Sequence, residues 1–396
     1  MKLINLFFIF AFASIGIFAK PLKIYILAGQ SNMQGHASER TLEHLAMDPK
    51  TAPLLNKIIN PDGTVRIHEN IWISSIDTSL ETGEKHGRLT VGYGAAGREP
   101  KIGPELMFGI TMQNYVGEPI LLIKTSWGGK SLNTDFRPPT AGPYEFNQKQ
   151  LENLKKRGKV LREAVADKAK LTGVYYRLML KHINKVLSDI ERVYPTYKTE
   201  EGYELSGFVW FQGWNDMVDG STYPDRGKEG SYDSYSKNLE YFIEDVRRDL
   251  NSPKMPFVIG VMGAGGPISK YGPSQKRYAG IHGEFRKAML APASLKKFKG
   301  NVTAVLTENY WDLQLSELVN RNEKVKAKRR ELSKNKNLNQ NERDKVVADY
   351  TAQLFTSHEL KILRTGISNA AYHYLGSAKI INQIGESFAN ALRSME

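Results

Sequence analysis

The chain has 396 residues, of which 41% are hydrophobic and 10% aromatic, and its formal net charge is +13. This content of large apolar residues excludes a disordered protein, and the length allows one large domain or two ordinary ones. The chain contains no cysteine, which excludes disulfides and thiolate metal sites.

Residues 1–19 have the pattern of a secretory signal peptide. Lys2 precedes an apolar run from Leu3 to Phe18, and the small residue Ala19 follows. The run is short for a transmembrane helix, and a retained anchor or a buried first helix is the alternative. We expect a bacterial periplasmic or secreted protein with no membrane contact beyond this segment.

The basic excess is concentrated in two stretches, residues 149–170 and 322–345. Basic runs are usually solvated helix faces, and neither stretch has the interleaved aromatic residues of a single-strand binder. We therefore expect no nucleic-acid partner. A basic surface still attracts anions through its summed field, so an acidic polymer stays open as a partner.

Apolar runs rich in strand formers alternate with segments of helical spacing along the rest of the chain. The predicted strands are residues 23–28, 70–76, 119–127, 205–213, 255–263 and 300–309. The predicted helices are residues 104–116, 173–193, 232–250 and 374–393. This alternation predicts an α/β protein with a parallel sheet between two layers of helices.

Three regions interrupt the alternation. Residues 36–103 are predicted to be irregular apart from the strand at 70–76. Residues 133–172 and 313–350 are polar or basic, and no linker of proline and glycine brackets the second. We expect a single domain over residues 20–396 in which these two segments are insertions.

Four polar blocks lie after predicted strands or before the last helix. They are GQSNM at 29–33, SWGGKS at 126–131, QGWND at 212–216 and NAAYHYLG at 369–376. Taken alone, each has an ordinary structural explanation, such as a helix cap or a tight turn. Since the carboxyl ends of parallel strands meet at one edge of a sheet, the blocks together supply a nucleophile, an amide, backbone N–H groups and a base. Those are the components of an acyl-transfer site.

These blocks resemble those of the SGNH hydrolases, specifically the sialate O-acetylesterase-like branch of carbohydrate esterases. GQSNM is similar to the first block of that branch, WGG to its second, and GWND to the general third block, where many relatives have Q-G-E-x-D. The resemblance covers residues 22–396 in outline. It implies a flavodoxin-like three-layer α/β/α fold and hydrolysis of acetyl esters on sugars, a chemistry that sialate and xylan esterases share. It implies no metal or organic cofactor.

The resemblance also implies roles for individual residues. Ser31 is the nucleophile and His373 the general base. The oxyanion hole consists of the backbone N–H groups of Ser31 and Gly129, preferred over Gly128, and the side-chain amide of Asn215. The other residues of the first and third blocks expected to contact substrate are Gln30, Asn32, Gln212 and Trp214.

One departure from the family pattern concerns the acid of the triad. Relatives have an acid three residues before the histidine, whereas this chain has Ala370. The neighbouring Asn369 could accept a hydrogen bond from the histidine but could not stabilise the imidazolium by charge. We expect the acid from the end of another strand, with Glu308 as first choice and Asp312 as second. A Ser–His dyad aided by a backbone carbonyl and a weak or altered catalyst are the alternatives.

The sequence thus predicts an exported serine esterase that removes acetyl groups from a carbohydrate, with an anionic carbohydrate preferred because of the basic surface. The alternative is a carbohydrate-binding protein with the same fold and little or no activity, which the missing acid favours. The retained Ser31, Asn215 and His373 favour the enzyme, because a binding protein does not need all three. The sequence does not indicate the oligomeric state.

Overall fold

The structure is a computed structural model that describes residues 20–76 and 83–396. The predicted signal peptide lies outside these residues. Within them, no helix is both long enough and apolar enough to cross a bilayer.

The described residues form a seven-stranded sheet and a small two-stranded one. The strands are β1 (Leu22–Gly29), β2 (Ala37–Ser38), β3 (His68–Ile76), β4 (Glu84–Leu89), β5 (Lys101–Ile102), β6 (Ile120–Ser126), β7 (Tyr203–Phe211), β8 (Phe257–Val261) and β9 (Val302–Leu306). The large sheet has the order β4-β3-β6-β1-β7-β8-β9, and β2 pairs with β5. All neighbours in the large sheet are parallel except β3 and β4.

The order of the parallel strands places β1 at the point where the chain changes direction across the sheet. After β1 the chain forms β3 and β4 at one end of the large sheet and adds β6 between β3 and β1. It then adds β7, β8 and β9 on the other side of β1. The five strands β6-β1-β7-β8-β9 therefore have the 2-1-3-4-5 order of flavodoxin-like sheets. Ligands of such sheets bind beyond the carboxyl ends of the strands at this switch point, which is where Ser31 lies.

Helices connect the strands and cover the sheet. They are α1 (Ser31–Gln34), α2 (Ala52–Ile58), α3 (Glu105–Val116), α4 (Gln148–Lys156), α5 (Leu161–Leu171), α6 (Val174–Leu187), α7 (Trp214–Val218), α8 (Asp233–Asp249), α9 (Ala279–Leu290), α10 (Leu313–Ser333), α11 (Gln340–Leu354), α12 (Ser357–Gly366) and α13 (Ala378–Arg393). Short 3-10 segments include Glu39–Met47, Thr307–Tyr310 and Ala371–Gly376.

The two faces of the sheet are covered by different helices. On β7, Trp210 packs against Phe242 of α8, with ring centroids 4.3 Å apart. The next residue, Phe211, packs against Phe388 of α13 at 5.3 Å. Since successive side chains of a strand point to opposite faces, α8 and α13 lie on opposite sides of the sheet. The predicted α/β/α architecture with a mainly parallel sheet is confirmed.

Two sequence predictions need correction. The last helix begins at Ala378 rather than at residue 374, because Tyr374, Leu375 and Gly376 all have positive φ angles that a helix cannot contain. The region 36–103 is less irregular than expected, since it contains α2, the strand β4 and a 3-10 segment besides β3. The basic segment 313–350 is helical and forms α10 and most of α11.

Candidate active site

Ser31 lies in a turn that three strand ends hold in place. The backbone N–H of Gln30 donates to the carbonyl of Phe211 at 3.3 Å, and that of Trp127 donates to the carbonyl of Gly29 at 3.2 Å. A Cβ atom at Gly29 would lie 2.2 Å from the oxygen of Phe211, so only glycine permits this approach of β1 to β7. Ser31 follows as the first residue of α1 and is 7% exposed.

A buried ion pair supports the far end of this turn. Nζ of Lys124, on β6, donates to the carbonyls of Gln34 and Tyr93 at 2.8 Å each and to Oε2 of Glu105 at 2.7 Å. The Lys124 and Glu105 side chains are both fully buried. Because a buried ammonium group requires several close oxygen acceptors, this lysine ties the carboxyl end of α1 to the sheet.

Gln30 joins the first polar block to the third. Its Oε1 accepts hydrogen bonds from Nε2 of Gln212 at 3.3 Å, from the backbone of Gly213 at 3.2 Å and from the backbone of Asn215 at 3.4 Å. Since Ser31 directly follows Gln30, these bonds fix the backbone of Asn215 relative to Ser31. Within the described residues, the Asn215 side-chain amide is half-buried and makes no hydrogen bond, so it can donate to a ligand.

Asp216 connects the second block to the third. Its carboxylate accepts from the backbone N–H groups of Leu132 at 2.7 Å and Asn133 at 3.0 Å, from Nε2 of Gln212 at 2.6 Å and from the hydroxyl of Tyr223 at 3.2 Å. Burial raises the pKa of Asp216 to about 6, and these four donors oppose that rise. The carboxylate is thus ionised at neutral pH and holds the loop after β6 against α7.

The two glycines of the second block differ in their distance from the nucleophile. A Cβ atom on Gly128 would lie 3.9 Å from Cβ of Ser31, whereas one on Gly129 would meet nothing within 4 Å. The φ angle of Gly129 is 74°, which favours glycine for conformational reasons. The preference for Gly129 as the oxyanion donor therefore has no support from packing, because Gly128 is the glycine beside Ser31.

His373 lies in a strained turn that Tyr374 anchors. Tyr374 and Leu375 have φ angles of 52° and 60°, a conformation that is uncommon for residues other than glycine. The buried hydroxyl of Tyr374 accepts a hydrogen bond from the backbone of Gly263 at 2.8 Å and shares another with Oγ1 of Thr307 at 2.6 Å. These contacts fix the turn to the ends of β8 and β9, next to the strand ends that hold Ser31.

The His373 ring has a neutral partner on one nitrogen and a second imidazole on one face. Its Nδ1 lies 3.0 Å from Oδ1 of Asn369. Its ring is stacked on His36, with centroids 3.9 Å apart and planes 1° from parallel. Because an amide oxygen only accepts, Nδ1 carries the proton and Nε2 is left as an acceptor. That tautomer suits a general base.

Both histidines are neutral over most of the pH range. Burial, followed by the positive charge of Lys101, lowers the pKa of His373 to about 4. Burial and the neighbouring His373 lower the pKa of His36 to about 3. A neutral imidazole is the form that removes a proton from a serine hydroxyl.

The turn that carries His373 packs against α1, which carries Ser31. Among the described residues, however, the Ser31 hydroxyl and the His373 ring do not form a hydrogen bond. Catalytic hydrogen bonds are often long until a substrate is bound, so this geometry is compatible with a nucleophile and its base.

The prediction that Glu308 or Asp312, at the end of β9, accepts a hydrogen bond from Nδ1 of His373 is wrong. Glu308 is bonded to Arg286. Asp312 caps α10 through the backbone N–H of Leu315 at 2.8 Å and accepts from Nζ of Lys379 at 2.8 Å. Each carboxylate thus neutralises a cation of its own, and Asn369 occupies the place next to His373.

Three residues expected to contact substrate are part of the support beneath the site. Gln30, Asn32 and Gln212 are at most 2% exposed. Gln30 and Gln212 bond to each other, while Nδ2 of Asn32 approaches the sulfur of Met262 at 3.6 Å. We therefore correct their role from contact with substrate to positioning. Trp214, the fourth such residue, is half-buried at the same edge of the sheet.

The sequence analysis missed His36 and the anchor Tyr374, and it did not select Asn369 as the partner of His373. Asn369 is four residues before His373, one position earlier than the acid in the family pattern. His36 is separated from His373 by most of the chain, and no spacing rule connects them. The only available signal for His36 was its place in the same loop as Ser31.

A second contact between a serine and a histidine lies between β3 and α6, away from Ser31. Oγ of Ser74, on β3, is 3.0 Å from Nε2 of His182 and 2.7 Å from Oε1 of Glu84. Ser74 is fully buried, so no ester can reach its hydroxyl. This cluster is structural, and it provides a control for experiments on Ser31.

The sequence profile of a carbohydrate esterase family, described as sialic acid-specific acetylesterase, matches residues 21–309. This match covers well over half of the chain, so the protein belongs to that family. No curated protein matches the chain.

Similar solved structures include a protein from Arabidopsis thaliana and a carbohydrate acetylesterase from Xanthomonas citri. The first is 19% identical, with 72% of this chain and 86% of that chain covered and a TM-score of 0.38. The second is 14% identical, with 71% of this chain and 49% of that chain covered and a TM-score of 0.39. The present chain thus spans about half the length of the Xanthomonas protein.

Proposed function

We propose that this protein is an exported serine esterase that removes O-acetyl groups from carbohydrates through an acetyl-enzyme intermediate. The observation that carries the proposal is that Ser31, the neutral His373 and the half-buried Asn215 lie on neighbouring segments at the carboxyl edge of the sheet. Membership of a carbohydrate esterase family supports the same chemistry. The basic and apolar pattern of residues 1–19 supports export.

The first half of the reaction forms the acetyl-enzyme. Oγ of Ser31 attacks the acetyl carbonyl carbon while Nε2 of His373 accepts the serine proton. The carbonyl oxygen becomes an oxyanion, for which the Asn215 amide, the Ser31 backbone and the glycine pair of the second block supply N–H donors. The tetrahedral intermediate then collapses, and His373 returns the proton to the departing sugar oxygen.

The second half releases acetate. A water molecule gives a proton to His373 and attacks the acetyl carbon, and the bond to Oγ of Ser31 breaks as the proton returns to it. Asn369 keeps the His373 ring in the tautomer that both halves require. An amide cannot stabilise the imidazolium by charge, so we expect slower turnover than in an enzyme with a carboxylate at this position.

A carbohydrate-binding protein without activity is the second candidate. The neutral partner of His373 is the observation that favours it. A fluorophosphonate probe separates the two, because it reacts with an activated serine and leaves a mere binding protein unlabelled.

The substrate is expected to be an acetylated and preferably anionic carbohydrate, because the chain carries a net charge of +13. The test is acetate release from a panel of neutral and acidic acetylated polysaccharides over a range of ionic strength. The proposal predicts release from at least one member and a preference for acidic members that weakens as salt rises. Release from none of them would contradict the esterase.

A further inference from the structure

Two aromatic rings contact each other at the edge of the sheet that carries the candidate active site. Trp214 and Tyr372 have ring centroids 5.6 Å apart and planes inclined by 36°. Tyr372 is 43% exposed, and Trp214 is half-buried with its inner part packed against the core. The pair therefore presents an aromatic surface to the solvent, and the inner part of this surface packs against the core.

The chain places each ring next to a residue of the proposed catalytic set. Trp214 precedes Asn215, and Tyr372 precedes His373. The Tyr372 ring also meets the His373 ring edge to face, with centroids 4.5 Å apart and planes at 68°. A molecule that rests on this pair thus lies beside the imidazole that would accept the Ser31 proton.

The backbone on both sides of Trp214 is held in place. A Cβ atom on the preceding residue, Gly213, would lie 2.7 Å from Cγ of Met262 and 2.8 Å from the ring of Phe285. The turn between β7 and α7 is therefore packed tightly, and Gln30 fixes the backbone on both sides of Trp214. A backbone held in this way loses little conformational freedom when a ligand binds the Trp214 side chain.

A further exposed apolar side chain follows Trp214 on α7. Val218, one helical turn after Trp214 in α7, is also exposed, at 44%. Trp214 and Val218 thus lie on the same side of α7, and Tyr372 contacts the Trp214 ring. Aromatic surfaces combined with a few fixed polar groups are typical of sites for small molecules.

We propose that Trp214 and Tyr372 form a platform on which one pyranose ring of the substrate stacks, which rests on the proposed esterase function. A pyranose with equatorial substituents presents a row of C–H groups on its face, and these fit the electron-rich faces of aromatic rings. The platform thus selects sugars with such a face, for example β-1,4-linked xylose units, over acetyl esters of flexible polyols. It holds the ring while an acetyl group on it reaches Ser31.

The test compares two acetyl esters on the same variants. One is an acetylated xylo-oligosaccharide, and the other is glycerol triacetate, which has no pyranose ring. Trp214→Ala and Tyr372→Ala are each expected to lower kcat/KM on the oligosaccharide about ten-fold relative to that on glycerol triacetate. Tyr372→Phe keeps the aromatic ring and is expected to keep the wild-type ratio of kcat/KM on the two esters. Tyr203→Ala is the matched control, because Tyr203 is 44% exposed at the start of β7, away from the site.

A second measurement separates the platform from the esterase reaction. Binding of the deacetylated xylo-oligosaccharide to Ser31→Ala is measured by calorimetry, with and without Tyr372→Ala. Weaker binding when Tyr372 is removed supports the platform even if acetate is never released. If the variants lose the same factor in kcat/KM on both esters and binding of the oligosaccharide is unchanged, the proposed platform is contradicted. The proposed esterase function is not affected by that result. Acetate release from neither ester by the wild type would instead contradict the proposed function.

Discussion

Oδ1 of Asn369 lies 3.0 Å from Nδ1 of His373, in the place where a serine hydrolase with a full triad has a carboxylate. The amide can select the tautomer of the imidazole but cannot stabilise its protonated form by charge. We therefore expect one substitution of Asn369 to raise the esterase activity and another to lower it.

Asn369→Asp is expected to raise kcat about ten-fold or more, because the new carboxylate stabilises the imidazolium that forms as Ser31 attacks. The same charge is expected to raise the pKa of His373 by about one to three pH units. Asn369→Ala removes the acceptor and is expected to lower kcat. The measurement is kcat for acetate release against pH. Identical profiles for all three proteins would show that Asn369 does not act on His373.

The pH dependence of the wild-type enzyme follows from the low pKa of His373. The imidazole must be neutral to accept a proton, so kcat/KM is expected to be constant near neutral pH and to fall as the pH drops through about 4. The positive charge of Lys101 contributes to this low pKa. Lys101→Met is therefore expected to move the acid limb to higher pH, while Lys101→Arg, which keeps the charge, leaves it in place. An acid limb that does not move in Lys101→Met contradicts this assignment of the base.

Asn215→Ala tests the oxyanion hole. An oxyanion donor acts mainly when charge develops on the substrate, and loss of one donor typically costs about 100- to 1,000-fold in kcat. We expect a fall of this size in kcat with little change in KM, measured on the same acetylated oligosaccharide. A change confined to KM would make Asn215 an ordinary contact with the substrate.

Asp216→Asn tests the support beneath the site. The substitution places an NH₂ group or a neutral oxygen against donors that now face a carboxylate, and we expect a loss of about 1–3 kcal/mol in the free energy of unfolding. The measurement is urea unfolding at pH 7. Asp225→Asn is a suitable control, because Asp225 is exposed and pairs only with Lys228 in the described structure. Equal stability of Asp216→Asn and the wild type would mean that these four hydrogen bonds do not hold the loop after β6.

The sequence was sufficient to predict the sheet and the position of Ser31. Buried parallel strands contain continuous apolar runs, such as residues 120–123, and the rule that sites lie at the carboxyl ends of the strands does not depend on side-chain detail. The partner of His373 was not predictable in this way. The turn after Ala370 contains two non-glycine residues with positive φ, and this conformation depends on the distant contacts of Tyr374.

The same limit applies to the carboxylates at the end of β9. Glu308 and Asp312 follow the last strand, as an acid of the triad should, but the sequence does not reveal which cation each one meets. Arg286 and Lys379 reach them from α9 and α13. Similarly, the stacking of His36 on His373 joins two loops that only the folded chain brings together.

The central claim is that Ser31 is the nucleophile, and Ser31→Ala tests it most directly. The measurement is acetate release from an acetylated oligosaccharide, together with the mass of the intact protein after treatment with a fluorophosphonate. Ser74→Ala is the matched control, since Ser74 is a buried serine that also contacts a histidine. We predict that Ser31→Ala folds, stays unlabelled and loses about 10⁴-fold or more in kcat, whereas Ser74→Ala is labelled and active. Turnover or labelling of Ser31→Ala at the level of the wild type would contradict the account.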